Sequence, residues 1–156
     1  MTPAIELLRK HAINHQLHQY QHDAAAASYG LEAAEKLGLL PQQVFKTLVL
    51  SLDAKQLAVA VLPVDQLLSM KQVAKALGVK KAEMATAADV MRSSGYVLGG
   101  VSPLGQKKLL PTLIDSSAQQ FATVYVSAGR RGLEIELSAE DLRRLLNAQF
   151  VPLCQQ

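Results

Sequence analysis

The chain has no tryptophan, and aromatic residues make up only 4% of it. A core built from this sequence must be aliphatic. There is one cysteine, Cys154, so no intrachain disulfide can form, and the chain suits a reducing compartment. No apolar stretch is long enough to cross a bilayer. The opening Met1-Thr2-Pro3-Ala4-Ile5-Glu6 is not followed by the apolar segment of a secretory signal. A cytoplasmic protein is expected. A strong charge of one sign is also lacking: the net charge of +3 permits a polyanionic partner without requiring one. Several chemistries have no signature. There is no G-x-S-x-G elbow and no Ser-His-Asp order, no compact carboxylate pair for glycoside hydrolysis, and no P-loop or Rossmann fingerprint. Cys154, in a polar tail, is a poor nucleophile. No repeat, linker or low-complexity tract divides the chain.

What is present suffices for one domain spanning residues 1–156, because 49% of the residues are hydrophobic. Thr2-Pro3 reads as an N-cap and first turn, opening a helix with a stripe of Ile5, Leu8 and Ala12 that ends near Asn14. A polar strand over 15–21 and a loop over 22–29 follow. Gly30–Leu37 is a helix closed by Gly38. Val44–Leu50 and Leu57–Leu62, joined by Asp53-Ala54-Lys55, form an antiparallel pair. Ser69 caps a helix that Gly78 ends, 82–84 is a short strand, and Thr86 caps a helix stopping before Gly95. Strands are expected over 96–100, 110–114 and 122–126. The last of these turns through Gly129–Gly132 into Leu133–Leu137. Ser138 with Asp141 is a capping box for a final helix to Asn147. Strands and helices mix without strict alternation. The expected class is α+β, a mixed and largely antiparallel, barrel-like sheet surrounded by helices.

Lys46 interrupts the strand Val44–Leu50. Alternation puts it on the same face as Val44, Leu48 and Leu50, where a buried ammonium is costly unless partnered or at a cleft. Two readings stand. The lysine reaches water along its own stem, or it sits at the rim of a pocket and holds a phosphate or other anion. The stretch from Gly95 to Gly105 is the second anomaly. It is either a tight bend or a loop whose amides approach a ligand. His11, His15, His18 and His22 are spaced for one helical face, which invites a metal reading. That segment has almost no apolar stripe, so solvated histidines are expected and no metal. Arg130 and Arg131 read as a solvated turn that could also touch phosphates. Lys71, Lys75, Lys80 and Lys81 gather at a helix end, where the dipole accounts for them.

Taken together, Val44-Phe45-Lys46-Thr47-Leu48, Leu57–Val61, Lys71–Gly78, Gly99-Gly100-Val101-Ser102-Pro103-Leu104-Gly105-Gln106-Lys107-Lys108 and Arg131–Leu137 resemble the YbaK-type Cys-tRNA(Pro) deacylases. These belong to an editing superfamily that includes the prolyl-tRNA synthetase insertion domain. The resemblance runs through essentially the whole chain in the same order. It implies in-trans removal of cysteine mis-attached to tRNA(Pro), with prolyl-tRNA synthetase as a partner and with no cofactor or membrane. Cysteine and proline are close in volume, so a synthetase pocket separates them poorly and a second site must remove the error. The resemblance further implies that the cysteinyl thiol attacks its own ester while the protein positions the groups. Lys46 matches the family's essential lysine, implied to hold the terminal nucleotide and steady developing charge. Gly99 and Gly100 would offer amides to the scissile carbonyl. Tyr20, Tyr29, Ser127 and Glu134 match pocket positions, and Thr47 adjoins Lys46 on the opposite strand face. Tyr29 stands where phenylalanine is usual, and Glu134 where aspartate is usual. Two other readings stay open: a deacylase for Ala-tRNA(Pro) or another small aminoacyl-tRNA, and a non-catalytic module binding tRNA or the synthetase.

Overall fold

The computed structural model describes residues 1–24 and 28–156, so the expected loop 22–29 lies partly outside the described residues. Thr2 caps α1 (Pro3–Lys10) by accepting the Ile5 amide, and Pro3 takes the first turn. The helix ends earlier than the sequence suggests. Ala12 adopts a left-handed φ of 53°, and Ile13 N–H returns to Leu8 O. Ala12 is consequently exposed, and Ala4 joins Ile5 and Leu8 in the core.

Two sheets pack face to face. In the smaller, β1 (Gln16–Gln19) runs antiparallel to β7 (Leu133–Ser138), which pairs antiparallel with β6 (Thr123–Ser127). The larger has the order β4-β2-β3-β5-β8. Its hairpin of β2 (Phe45–Leu52) and β3 (Gln56–Pro63) turns at Asp53 and Ala54, both at positive φ, as a tight hairpin turn requires. β4 (Ala82–Met84) pairs antiparallel with Leu50–Leu52. β5 (Thr112–Asp115) and β8 (Gln149–Val151) add parallel strands. Four of the six strand pairings are antiparallel, so the sheet is mixed and largely antiparallel as expected.

The expected strand over 96–100 is absent. Gly99 has φ +90°, Gly100 N–H bonds to Val97 O, and the Tyr96 hydroxyl donates to Leu104 O. These bonds fold the segment onto itself, where a ladder would need them directed to a neighbouring strand. β8 has no sequence signal, since three residues with one exposed glutamine make no periodic pattern.

The remaining helices begin at hydroxyl caps: α2 (Tyr29–Leu37) at Ser28, α3 (Met70–Leu77) at Ser69, α4 (Ala87–Ser94) at Thr86 and α5 (Ala139–Leu146) at Ser138. Gly38, Gly78 and Gly95 close three of them in the left-handed region. Among the described residues no helix is long and apolar enough to cross a membrane.

β2 alternates as its sequence requires. Phe45 and Val49 join the core between the sheets, with Val124, Val126, Ile135 and Leu137. Leu50 and Leu52 face the other way, with Val73, Ala74 and Leu153. Each fully buried aliphatic side chain stabilises by about 1.5–3 kcal/mol. Besides that packing, the sheets are joined by backbone pairing where Val44 bridges to Tyr125. Between that bridge and the start of the β4 pairing at Leu50, β2 has a free edge. The site lies there.

Candidate active site

Val44 O accepts from Val64 N–H on the β3 side, whereas Val49 O accepts from Ala85 N–H on the opposite side. In an antiparallel pair these directions alternate by residue. The backbone N–H and C=O of Thr47 accordingly point outward at the free edge. They face a cavity of about 460 Å³. Tyr20, Tyr29, Lys46, Thr47, Gly99, Ser127 and Glu134 all line it. Four elements and two loops, far apart in sequence, thus bring these side chains together.

Lys46 is half-buried, and its Nζ donates to Gln66 O at 2.6 Å, leaving two protons for a ligand. Burial lowers its pKa from the usual lysine value, partly offset by nearby Cys154 and Asp65. Glu134 on β7 is buried, opposite Ser127 of β6 in register. Burial pushes its carboxyl up to about 8. Burial also raises the Tyr20 phenol. Thr47 Oγ1 is buried and without a hydrogen-bond partner. Ser127 Oγ accepts from Gly129 N–H, and no hydrogen bond joins it to Glu134 among the described residues. Cys154 is not on the lining, and burial pushes its thiol up to about 11.

The two glycines separate. Gly99 lines the cavity, and its N–H has no partner among the described residues. Gly100 is buried outside the lining, and its N–H is spent on Val97 O. A Cβ there would lie 3.0 Å from Arg130 Cα, so its smallness lets the glycine loop pack on the hairpin.

Arg131 is no solvated turn residue. Its side chain pairs with Glu32 at 3.1 Å, donates to Asp23 O, and sits 4.4 Å from the Tyr29 ring centroid. The Asp23 amide first, and then Arg131, hold the Glu32 carboxyl below the usual carboxylate range. Tyr29 in turn rests on Gly99, where a Cβ would come within 2.9 Å of its ring. A hairpin, a helix start and a loop are locked together around the cavity mouth. No pairing signal for this clasp is legible in the sequence, because Arg131 and Glu32 are 99 residues apart. The histidines do not share a helical face. His11 caps α1, His18 lies on β1 bonded to Glu136, and His15 and His22 lie in coil. No group of three potential metal ligands occurs among the described residues.

Residues 23–145 match the aminoacyl-tRNA editing domain. The chain belongs to this family. EbsC of Enterococcus faecalis, whose name assigns it provisionally as a Cys-tRNA(Pro)/Cys-tRNA(Cys) deacylase, is 38% identical over 97% of this chain and 92% of its own. YwhH of Bacillus subtilis, an uncharacterised protein, is 29% identical over 71% of the chain and 70% of its own length. Two solved structures share the fold of this editing domain. A candidate trans-editing enzyme for prolyl-tRNA synthetase superposes with a TM-score of 0.84 at 21% identity, covering 99% of this chain and 96% of that one. The hypothetical protein APE2540 gives 0.87 at 23%, covering 98% and 99%.

Proposed function

We propose that this editing domain deacylates Cys-tRNA(Pro) in trans, with the substrate supplying the nucleophile. The observation that carries this reading is the lining of the cavity. It joins a partly free ammonium at Lys46, an unengaged amide at Gly99 and a buried carboxyl at Glu134, with no cysteine or histidine among them. Ser127, a half-buried hydroxyl, has no base bonded to it among the described residues.

The cysteinyl thiol then attacks its own ester carbonyl. A C–S bond forms, the ester C–O bond breaks, and the thiol proton passes to the departing ribose oxygen. Gly99 N–H donates to the developing oxyanion, and Lys46 holds the terminal nucleotide and steadies the negative charge. The Glu134 carboxyl, with Tyr20, receives the substrate α-amino group. Tyr29 walls the aminoacyl pocket, and Thr47 and Ser127 contact the substrate. Orientation alone can lower such a barrier by about 7–11 kcal/mol in favourable cases. Prolyl-tRNA synthetase is the expected source of the mischarged substrate.

The test is deacylation of Cys-, Ala- and Pro-tRNA(Pro) by wild type and Lys46→Ala. Loss of cysteine alone, reduced roughly 100-fold or more by the mutation, is expected. Preferential loss of alanine would move the substrate to another small aminoacyl group. Tight tRNA binding with no ester cleavage would favour a binding module.

A further inference from the structure

Beside the candidate active site lies a second groove, of about 420 Å³. Its floor is apolar, formed by Ile5, Leu17 and Leu133, and its walls carry Arg9 and Arg130. The chain has six arginines. Four are ion-paired: Arg92 with Asp89, Arg131 with Glu32, Arg143 with Glu140 and Arg144 with Asp141. Arg9 and Arg130 have no hydrogen-bond or ion-pair partner for their side chains among the described residues, and both line this one groove. Arg130 also lines the active-site cavity, so the two concavities share a wall.

The position of Arg130 is fixed by its backbone. The Thr2 hydroxyl donates to Ala128 O, Tyr20 N–H donates to Gly132 O, and Gly100 packs on Arg130 Cα. The hairpin tip is held from three sides, and the guanidinium stands out from it into solvent.

We infer that this groove is a binding site for the single-stranded 3′ end of RNA, seating a nucleotide upstream of the one that enters the cavity. The inference rests on the tRNA reading above. An acylated end seated in the cavity can continue across Arg130, the residue that both concavities share. Guanidinia bind phosphates bidentately, and an apolar floor between two of them suits the face of a base, which needs no sequence match. Protein interfaces centre on aromatic anchors, and the lining of this groove holds none.

The experiment measures binding of uncharged tRNA to wild type and to Arg9→Ala, Arg130→Ala and the double variant, across a salt series. Thermal melts establish that each variant is folded. A 3′-trimmed tRNA and a Lys75→Ala/Lys80→Ala variant serve as comparisons. Each arginine lost should weaken binding to intact tRNA about tenfold and reduce the salt slope by about 0.7. Trimmed tRNA should bind wild type and the arginine variants alike, and the lysine variant should bind as wild type does. Equal affinity of wild type and the double variant for intact tRNA would overturn the assignment. So would an arginine effect that persists on trimmed tRNA, or a loss confined to the lysine variant. Because the ligand is uncharged, the outcome is separate from catalysis. Arginine-dependent binding without deacylation would keep the groove and reject the enzyme, and deacylation without arginine-dependent binding would do the reverse.

Discussion

At the scale of single residues, Glu134 is the most consequential. A carboxyl held at about 8 in the folded chain and near 4.5 when unfolded binds its proton more tightly in the native state. Stability should therefore fall as pH rises from about 4.5 to 8, by up to about 1.4 kcal/mol per unit. Glu134→Gln should flatten that dependence, which urea midpoints at pH 5, 6.5 and 8 would read. A parallel slope in wild type and variant would remove Glu134 as its source. Gly99 makes a second point. An alanine there would face φ +90° and a Tyr29 ring atom at 2.9 Å. Gly99→Ala should cost about 1–2 kcal/mol of stability, displace Tyr29 and lower deacylation. Unchanged kinetics would show that Tyr29 does not shape the pocket. Lys46 and the glycines stood out because each breaks its local pattern, a charge in an apolar strand or backbone freedom beside a bend. Arg131 broke no pattern, and its partner lies 99 residues away.

At the scale of elements, the helices were legible because their ends are local chemistry. Ser69 with Gly78, Thr86 with Gly95, and Ser138 each form the cap that the spacing suggests. Strands depend on neighbours, and two of them differ from what the sequence suggests. Tyr96–Gly100 has strand-like residues, but the left-handed Gly99 and the Tyr96–Leu104 bond make it a loop. β8 exists because β5 offers it an edge. The clasp between α2 and the β6–β7 hairpin belongs to this scale too. Side-chain exposure is 18% for Arg131 and 4% for Glu32, so removing one partner strands a mostly buried charge. Arg131→Met should destabilise by about 3 kcal/mol, and the double variant with Glu32→Gln should recover part of it. Urea unfolding of the four proteins completes the cycle. Additive losses would mean the pair does not couple the two elements.

At the scale of the whole molecule, the two sheets join by backbone pairing at one bridge and leave one edge of β2 unpaired for a few residues. That gap opens onto the cavity, and the candidate site residues converge on it from both sheets. Net charge is low, so RNA affinity must come from a few placed cations more than from a broad field. The central claim is that the cavity positions a substrate that carries its own nucleophile. The most direct measurement compares deacylation of Cys-tRNA(Pro) with Ser-tRNA(Pro), in which oxygen replaces the thiol sulfur. Rapid loss of cysteine and little loss of serine are expected. Equal rates would contradict it and place the nucleophile in the protein or in a bound water.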